Sequence, residues 1–274
     1  EGGTHKLAEG LTTLAEEIGV KLNTGQGVVR AHTLNGNISA IELEDGRLRS
    51  ADYYVSNMEV IPFYQKMVDV EEAFVDKLVD KFEPASSGFV LHLGVKKEYP
   101  ALAHHNFFFS ENLQEQMEKI FDRHELPDDP TIYLVNVNKT DVTQAPAGHE
   151  NIKILPHIPY IQEDPFTEAD YAAFEERVLD KLERMGMDGL RDNIVTRNVW
   201  TPHDIERMYG SDRGAIYGTV SDKNQNGGFK HKKQSELYEN LYFVGGTVNP
   251  GSGMPMVTLS GQQVSDKIAK RDGV

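Results

Sequence analysis

The stretch that most constrains the fold runs from Leu241 to Gly261: Leu-Tyr-Phe-Val-Gly-Gly-Thr-Val-Asn-Pro-Gly-Ser-Gly-Met-Pro-Met-Val-Thr-Leu-Ser-Gly. Its four leading apolar residues predict a short strand in the middle of a sheet. Gly245, Gly246, Gly251 and Gly253 follow within nine positions. That density removes Cβ atoms where a backbone must turn sharply or approach a ligand. Pro255 suits the first turn of a helix, where its missing N–H would have had no partner, and residues 256–269 carry that helix. A glycine turn that delivers a helix N-terminus presents free N–H groups and a positive dipole end, a setting for an anion or a polarised ring. By itself the pattern also fits a plain strand-to-helix connection in an α/β domain.

The remaining chain must supply a sheet for that strand. Residues 3–19 predict a helix, with Thr4 as N-cap, Leu7, Leu11, Leu14 and Ile18 as its apolar stripe, and Gly19 at its exit. Residues 20–22 predict a short strand. Residues 28–33 and 38–44 flank Asn35-Gly36, a strong hairpin signal. Asp45-Gly46 marks a second turn, and residues 53–56 another strand. Residues 71–82 form an amphipathic pattern with Phe74, Leu78, Val79 and Phe82 on one side. Further strands are expected at 89–95, 107–109, 132–137, 152–158 and 194–200. Helices are expected after Ser110, from Thr167 to Met185 with Thr167 and Asp170 as a capping pair, and from Pro202 to about Tyr209. Strands with interspersed helices predict an α/β (α+β) molecule with a mixed sheet and helices on one side. Residues 215–228 are small and polar without helical period, which predicts an irregular loop. Lys230–Lys233 is a basic run with the character of a solvated loop.

Composition excludes several functions. The chain has 274 residues, a net charge of −15 and no cysteine. Without cysteine there is no disulfide framework, thiol nucleophile or cysteine metal site. The acidic balance argues against nucleic acid and against simple electrostatic docking on anionic lipid. No window is apolar enough to span a membrane. The adjacent pair His104-His105 is expected on opposite faces of a strand, which cannot chelate one metal, and no Gly-x-Ser-x-Gly elbow offers a hydrolase nucleophile. Acidic pairs such as Glu16-Glu17 and Glu175-Glu176 read as solvated helix faces.

The Leu241–Gly261 stretch resembles the C-terminal flavin-contacting motif of carotenoid desaturases and related amine-oxidase-like flavoproteins. There a strand ending in Val-Gly leads into Thr-His-Pro-Gly-x-Gly-x-Pro and a helix; here Asn249 stands where that family has His. Other segments are similar to the same family: Gly19-Val20, Ala51-Asp52 through Val55 and Asn57, the run His104-His105-Asn106-Phe107-Phe108-Phe109, the turn Leu126-Pro127-Asp128-Asp129-Pro130, and Thr201-Pro202-His203-Asp204. Together they cover essentially the whole chain, and the Gly-Gly-Thr and Met-Pro-Met-Val-Thr-Leu-Ser-Gly wording is most similar to the branch acting on shorter carotenoids.

The resemblance implies a partial FAD-binding Rossmann-like domain at 1–57 and 239–274, with a substrate-binding domain at 58–238. It implies FAD as cofactor, contacted by Val28, Gly245, Gly246, Gly253, Met254 and Pro255, with no metal and no identifiable catalytic residue. Val28 would lie against the adenine, and the helix after Pro255 would face the pyrimidine side of the flavin. A lipophilic carotenoid such as phytoene or diapophytoene would be desaturated or oxidised in an apolar passage, which Phe89, Phe107, Phe108, Phe109, Met254 and Met256 could line. The protein is expected in the cytoplasm, with peripheral contact to the membrane. No Gly-x-Gly-x-x-Gly follows an early strand, so a fragment is expected, inactive alone and holding FAD weakly or not at all. A flavin amine oxidase and a non-catalytic partner-binding domain of the same fold remain open as alternatives.

Overall fold

A computed structural model describes residues 2–273. Along the chain the elements are α1 (His5–Glu17), β1 (Val28–Leu34), β2 (Asn37–Leu43), β3 (Leu48–Arg49), β4 (Tyr54–Ser56), α2 (Val60–Lys66), α3 (Glu72–Lys81), β5 (Ser87–Gly88), β6 (Val90–Val95) and β7 (His105–Phe108). They continue with α4 (Leu113–Phe121), β8 (Ile132–Asn136), β9 (Glu150–Ile158), α5 (Glu168–Arg184), α6 (Leu190–Asn193), β10 (Ile194–Trp200), α7 (Pro202–Tyr209), α8 (Lys223–Asn226), β11 (Leu241–Phe243) and α9 (Met254–Asp272). The chain packs as two units, one of Glu1–Asn23 with Ser86–His203, the other of Thr24–Ala85 with Asp204–Val274.

The first unit is built on an antiparallel sheet of order β10-β6-β9-β8-β7, with β5 added beside β9. The mixed sheet expected here is therefore antiparallel in every pairing among the described residues. Period-two alternation at 89–95 sends Phe89, Leu91, Leu93 and Val95 to one face, where they are buried against Ile132, Leu134, Ile152 and Ile154. Helix α5 covers that face with Tyr171, Phe174, Val178, Leu179 and Leu182. Each such side chain contributes roughly 1.5–3 kcal/mol by leaving water. Met185, the last residue of the expected helix, is its C-cap and is exposed, while Met187 lies in the core. The capping pair at α5 forms as expected: Asp170 N donates to Thr167 Oγ1 at 3.2 Å and Thr167 N to Asp170 Oδ2 at 2.8 Å. At α4 the cap is Asn112, whose side chain accepts from Glu115 N at 3.1 Å. Ser110, the expected cap, instead accepts from Asn112 N and holds that residue in place. Helix α1 forms with its predicted stripe, but Leu7, Leu11, Leu14 and Ile18 are all exposed, and residues 20–22 make no strand.

The second unit holds the hairpin and the C-terminal motif. Asn35 and Gly36 both take positive φ, 49° and 73°, as a two-residue turn between β1 and β2 requires. Strand β11 pairs in parallel with β4, Leu241 opposite Tyr54 and Phe243 opposite Ser56. Asn240 secures this pairing to the hairpin: its Oδ1 accepts from Ile38 N at 2.8 Å and its Nδ2 donates to Ile38 O at 2.9 Å, in the manner of a backbone ladder. Helix α2, absent from the sequence reading, buries Val60, Ile61, Phe63 and Tyr64. Phe63 meets Phe243 edge-on at 5.3 Å between ring centroids, and Tyr64 meets Phe74 of α3 at 5.0 Å. Residues 58–85 thus pack with the C-terminal strand, so packing divides the chain at points other than the expected functional boundaries at 57 and 238. Residues 215–228 are not wholly irregular, because Asp222 caps the short α8 through its bonds from Asn224 and Gln225 N.

Candidate functional site

The parallel register of β11 on β4 sends the chain out of the sheet beside Asn57, and the glycines follow from that exit. Gly245 has φ +100°, and a Cβ there would come within 2.6 Å of Asn57 Oδ1. Its N–H donates to buried Ser260 Oγ at 2.9 Å, and Ser260 Oγ donates to Val257 O, tying the strand end to α9. A Cβ on Gly246 would meet Ser252 Oγ at 2.6 Å. From the other side Gly218, at φ +68°, brings its loop against the Gly246 backbone, where a Cβ would sit 2.8 Å from the carbonyl. Ser252 Oγ donates to Tyr217 O at 2.6 Å and closes the turn. The Asn249–Pro250 peptide is cis. Asn249 Oδ1 lies 3.5 Å from Lys230 N.

The turn ends at Gly253, φ +108°, which is the N-cap of the 19-residue helix α9 and offers it no side-chain cap. Nothing lies within 4 Å of a Cβ built on Gly253, and Gly253, Met254, Pro255 and Met256 are all exposed. The first turn of α9 therefore points unbonded N–H groups and the positive dipole end into open space. Val28 lies elsewhere in the same unit. It is 39% exposed on β1 and borders an apolar cavity of about 330 Å³ with Ala31, Ile41, Tyr54, Val55 and Leu241. The expected cofactor residues thus fall in two places. Gly245, Gly246, Gly253, Met254 and Pro255 share the exit of β11, while Val28 shares a cavity with the strand's first residue.

Sequence reading missed a buried charged cluster near the turn. Glu59, before α2, accepts from Asp212 N at 2.8 Å, and burial with the Asp212 charge nearby pushes its carboxyl from 4.5 up to about 7. Burial likewise raises Asp212 and lowers Lys230, whose Nζ donates to Tyr217 O at 3.2 Å and to Thr219 O. The isolated acids and the basic run carried no periodic signal that would have joined them.

In the first unit, Phe89 is a core residue, while Phe108, packed in the same cluster, also borders a cavity of about 410 Å³ with Leu102, Phe107 and Met187. Phe107 and Phe109 are 56% and 64% exposed. They continue a stacked column in which Phe107 lies 4.9 Å from Tyr133 and Tyr133 lies 5.8 Å from His105. The rings of His104 and His105 are 4.4 Å apart, closer than opposite strand faces allow, because His104 precedes β7 and turns to Thr140 Oγ1 at 2.7 Å. No group of three metal-ligating side chains occurs among the described residues.

Solved structures share this architecture. An oxidoreductase from Methanosarcina mazei superposes with a TM-score of 0.61 at 18% identity, covering 97% of this chain and 55% of that one. Cyclohexylamine oxidase from Brevibacterium oxydans gives 0.54 at 13% identity, covering 97% and 53%. The fold is the amine-oxidase-like α/β fold of oxidoreductases. No protein-family model matches the chain. Among curated proteins it is 58% identical over 272 residues to the 4,4'-diaponeurosporene oxygenase of Staphylococcus aureus strain USA300, and 57% identical to that of strain MSSA476. In sequence the chain is thus similar to carotenoid oxygenases over almost its whole length, and in fold to oxidoreductases of the amine-oxidase type. The match covers 99% of this chain and 55% of the relative, so the chain spans about half the length of the curated proteins it resembles.

Proposed function

We propose that this chain supplies the substrate-side sheet and part of the FAD site of an oxidoreductase acting on a linear carotenoid polyene. The observation that carries the reading is the parallel pairing of β11 with β4, which opens the glycine turn onto the uncapped first turn of α9. These residues fit a flavin. Gly253 and its neighbours leave room for a flat ring system, and the helix N-terminus favours negative charge on whatever lies before it. When bound, FAD would supply the hydride acceptor that the side chains lack. The chain's own part is to hold the ring through Gly253, Met254 and the turn, to accept the adenine end near Val28, and to exclude water with apolar side chains. Hydrocarbon oxidation gives a protein acid little to grip, which agrees with a turn and helix entrance free of charged residues. The exposed column Phe107–Tyr133–His105 offers flat apolar faces of the kind a polyene stacks on. Polyene chemistry comes from the relative's name and homology; the amine-oxidase alternative rests on fold likeness at 13% identity alone.

No described helix is long and apolar enough to cross a membrane. Access to a lipid-soluble substrate from a membrane surface in the cytoplasm is part of the same proposal. The test is flavin content and polyene turnover of the whole protein that carries this segment. Wild type is expected to retain FAD and to oxidise a diapocarotene, and Gly253→Val to lose flavin without unfolding. A whole protein that purifies free of flavin and leaves every polyene unchanged overturns the reading.

A further inference from the structure

The second unit contains a larger cavity, of about 770 Å³, away from Val28 and within the ~300–1,000 Å³ span of small-molecule sites. Its wall between α2 and α3 is apolar: Tyr64, Phe74, Leu78, Phe82 and Phe243 line it. Five lysines also line it, Lys77 and Lys81 from α3 and Lys230, Lys232 and Lys233 from the basic run, beside neutral polar residues, with Glu236 the one acid among the lining residues. In a chain of net charge −15 such a concentration is not a sample of the average surface. Two of these lysines are already engaged, Lys230 by backbone carbonyls and Lys232 by Glu236. Lys77, Lys81 and Lys233 have no ion-pair partner among the described residues.

His231 decides what the cavity is for. It is 4% exposed, its ring lies 3.8 Å from that of Phe82, and its Nε2 is buried with no partner among the described residues. Buried polar atoms are almost always bonded, and one left unpaired in a side chain that lines a cavity calls for an explanation outside the chain. Burial together with the Lys230 and Lys81 charges pushes the ring down to about 3, so it is neutral at ordinary pH and the positive field comes from the lysines. A neutral imidazole N–H beside uncompensated ammonium groups is complementary to an anionic oxygen, and the aromatic wall is complementary to a hydrocarbon tail.

We infer that this cavity binds a single-chain amphiphile with a terminal carboxylate, a long-chain fatty acid in class. Its head would lie against His231 Nε2, Lys81 and Lys233, and its tail between Tyr64, Phe74 and Phe243. The site stands apart from the flavin assignment, since neither the cavity nor the assay needs a flavin. Lys230–Lys233, expected as a solvated loop, becomes one wall of a binding site.

The probe is parinaric acid, a conjugated long-chain carboxylate whose fluorescence rises in an apolar site, titrated into the full chain. Saturable binding displaced by palmitate is expected, weakened about tenfold or more in Lys81→Glu and in Lys233→Glu. Both substitutions lie outside the apolar wall, so circular dichroism should stay that of the wild type. His231→Phe, which fills the same space without an N–H, is expected to weaken the acid while leaving the probe's methyl ester unaffected. Equal affinity for acid and methyl ester, or unchanged binding in both lysine variants, overturns the inference. So does binding to phosphatidylglycerol vesicles without binding of the monomeric acid, which would assign the lysines to a lipid surface.

Discussion

Replacing Glu59 by Gln tests the buried cluster beside the turn. Glu59 holds its proton more tightly in the folded protein, its pKa rising from 4.5 to about 7 through burial and the neighbouring Asp212. Its contribution to stability is therefore complete below about pH 4.5 and is lost as pH climbs through about 7. At about 1.4 kcal/mol per pH unit the whole interval is worth about 3 kcal/mol, trimmed to about 2 because part of the carboxyl faces water. Gln keeps an oxygen for the bond from Asp212 N, now 2.8 Å, and cannot ionise. The variant should gain about 2 kcal/mol on the wild type between about pH 4.5 and 7.5. His231 acts in the opposite sense. Its depressed pKa of about 3 gives stability that is complete above about pH 6.5 and declines as pH falls toward 3. Over the shared interval the two slopes oppose each other in the wild type, and in Glu59→Gln the rising one is exposed. Urea unfolding across this range, followed by amide exchange at Leu241–Phe243, is the assay, because the sole tryptophan, Trp200, belongs to the other unit. A difference between wild type and variant that stays constant across the pH range refutes the buried-carboxyl argument.

Three further outcomes are expected. Gly245→Ala forces a Cβ against Asn57 at a positive φ and should cost about 2–3 kcal/mol, seen as a lower urea midpoint for the second unit; a loss under about 0.5 kcal/mol would show that the turn yields easily. Asp129→Asn removes the charge 2.5 Å from Lys181, an ammonium whose side chain is 3% exposed, and should destabilise the first unit by about 2–4 kcal/mol by Trp200 fluorescence. Thr167→Ala opens the capping box of α5 and should cost about 1 kcal/mol in the same readout.

Local chemistry explains what could be read before any coordinates. Asn35-Gly36 names its own turn because few other pairs tolerate two successive positive φ values, and both are found. The Thr167–Asp170 cap and the Phe89–Val95 alternation are likewise self-contained signals. The turn from Gly245 to Pro255 was legible as a turn, and its helix starts two residues earlier than expected, at Met254, because Gly253 already serves as the cap. Helix α2 was not legible: a continuous apolar run such as Val60-Ile61-Pro62-Phe63-Tyr64 shows no period, since every residue in it is buried. The stripe of α1 predicted a helix correctly, and its residues are exposed, because periodicity specifies a face without specifying what covers it. The lysine-rimmed cavity draws on residues 60–82 and 226–249, and no local pattern links segments so far apart.

The pairing of β11 with β4 also dictates an order of events during synthesis. Ser86–His203, a continuous stretch that contains the whole antiparallel sheet, is made before Leu241 exists. Its contacts can form while β4 still waits for a partner. The unit that holds the glycine turn closes over a long loop, once Leu241–Phe243 have left the ribosome. Until then the apolar faces of α2 and α3 have no Phe243 to pack on. A nascent chain stalled before Leu241 therefore holds the antiparallel sheet of the first unit while the core of the second lacks its central strand.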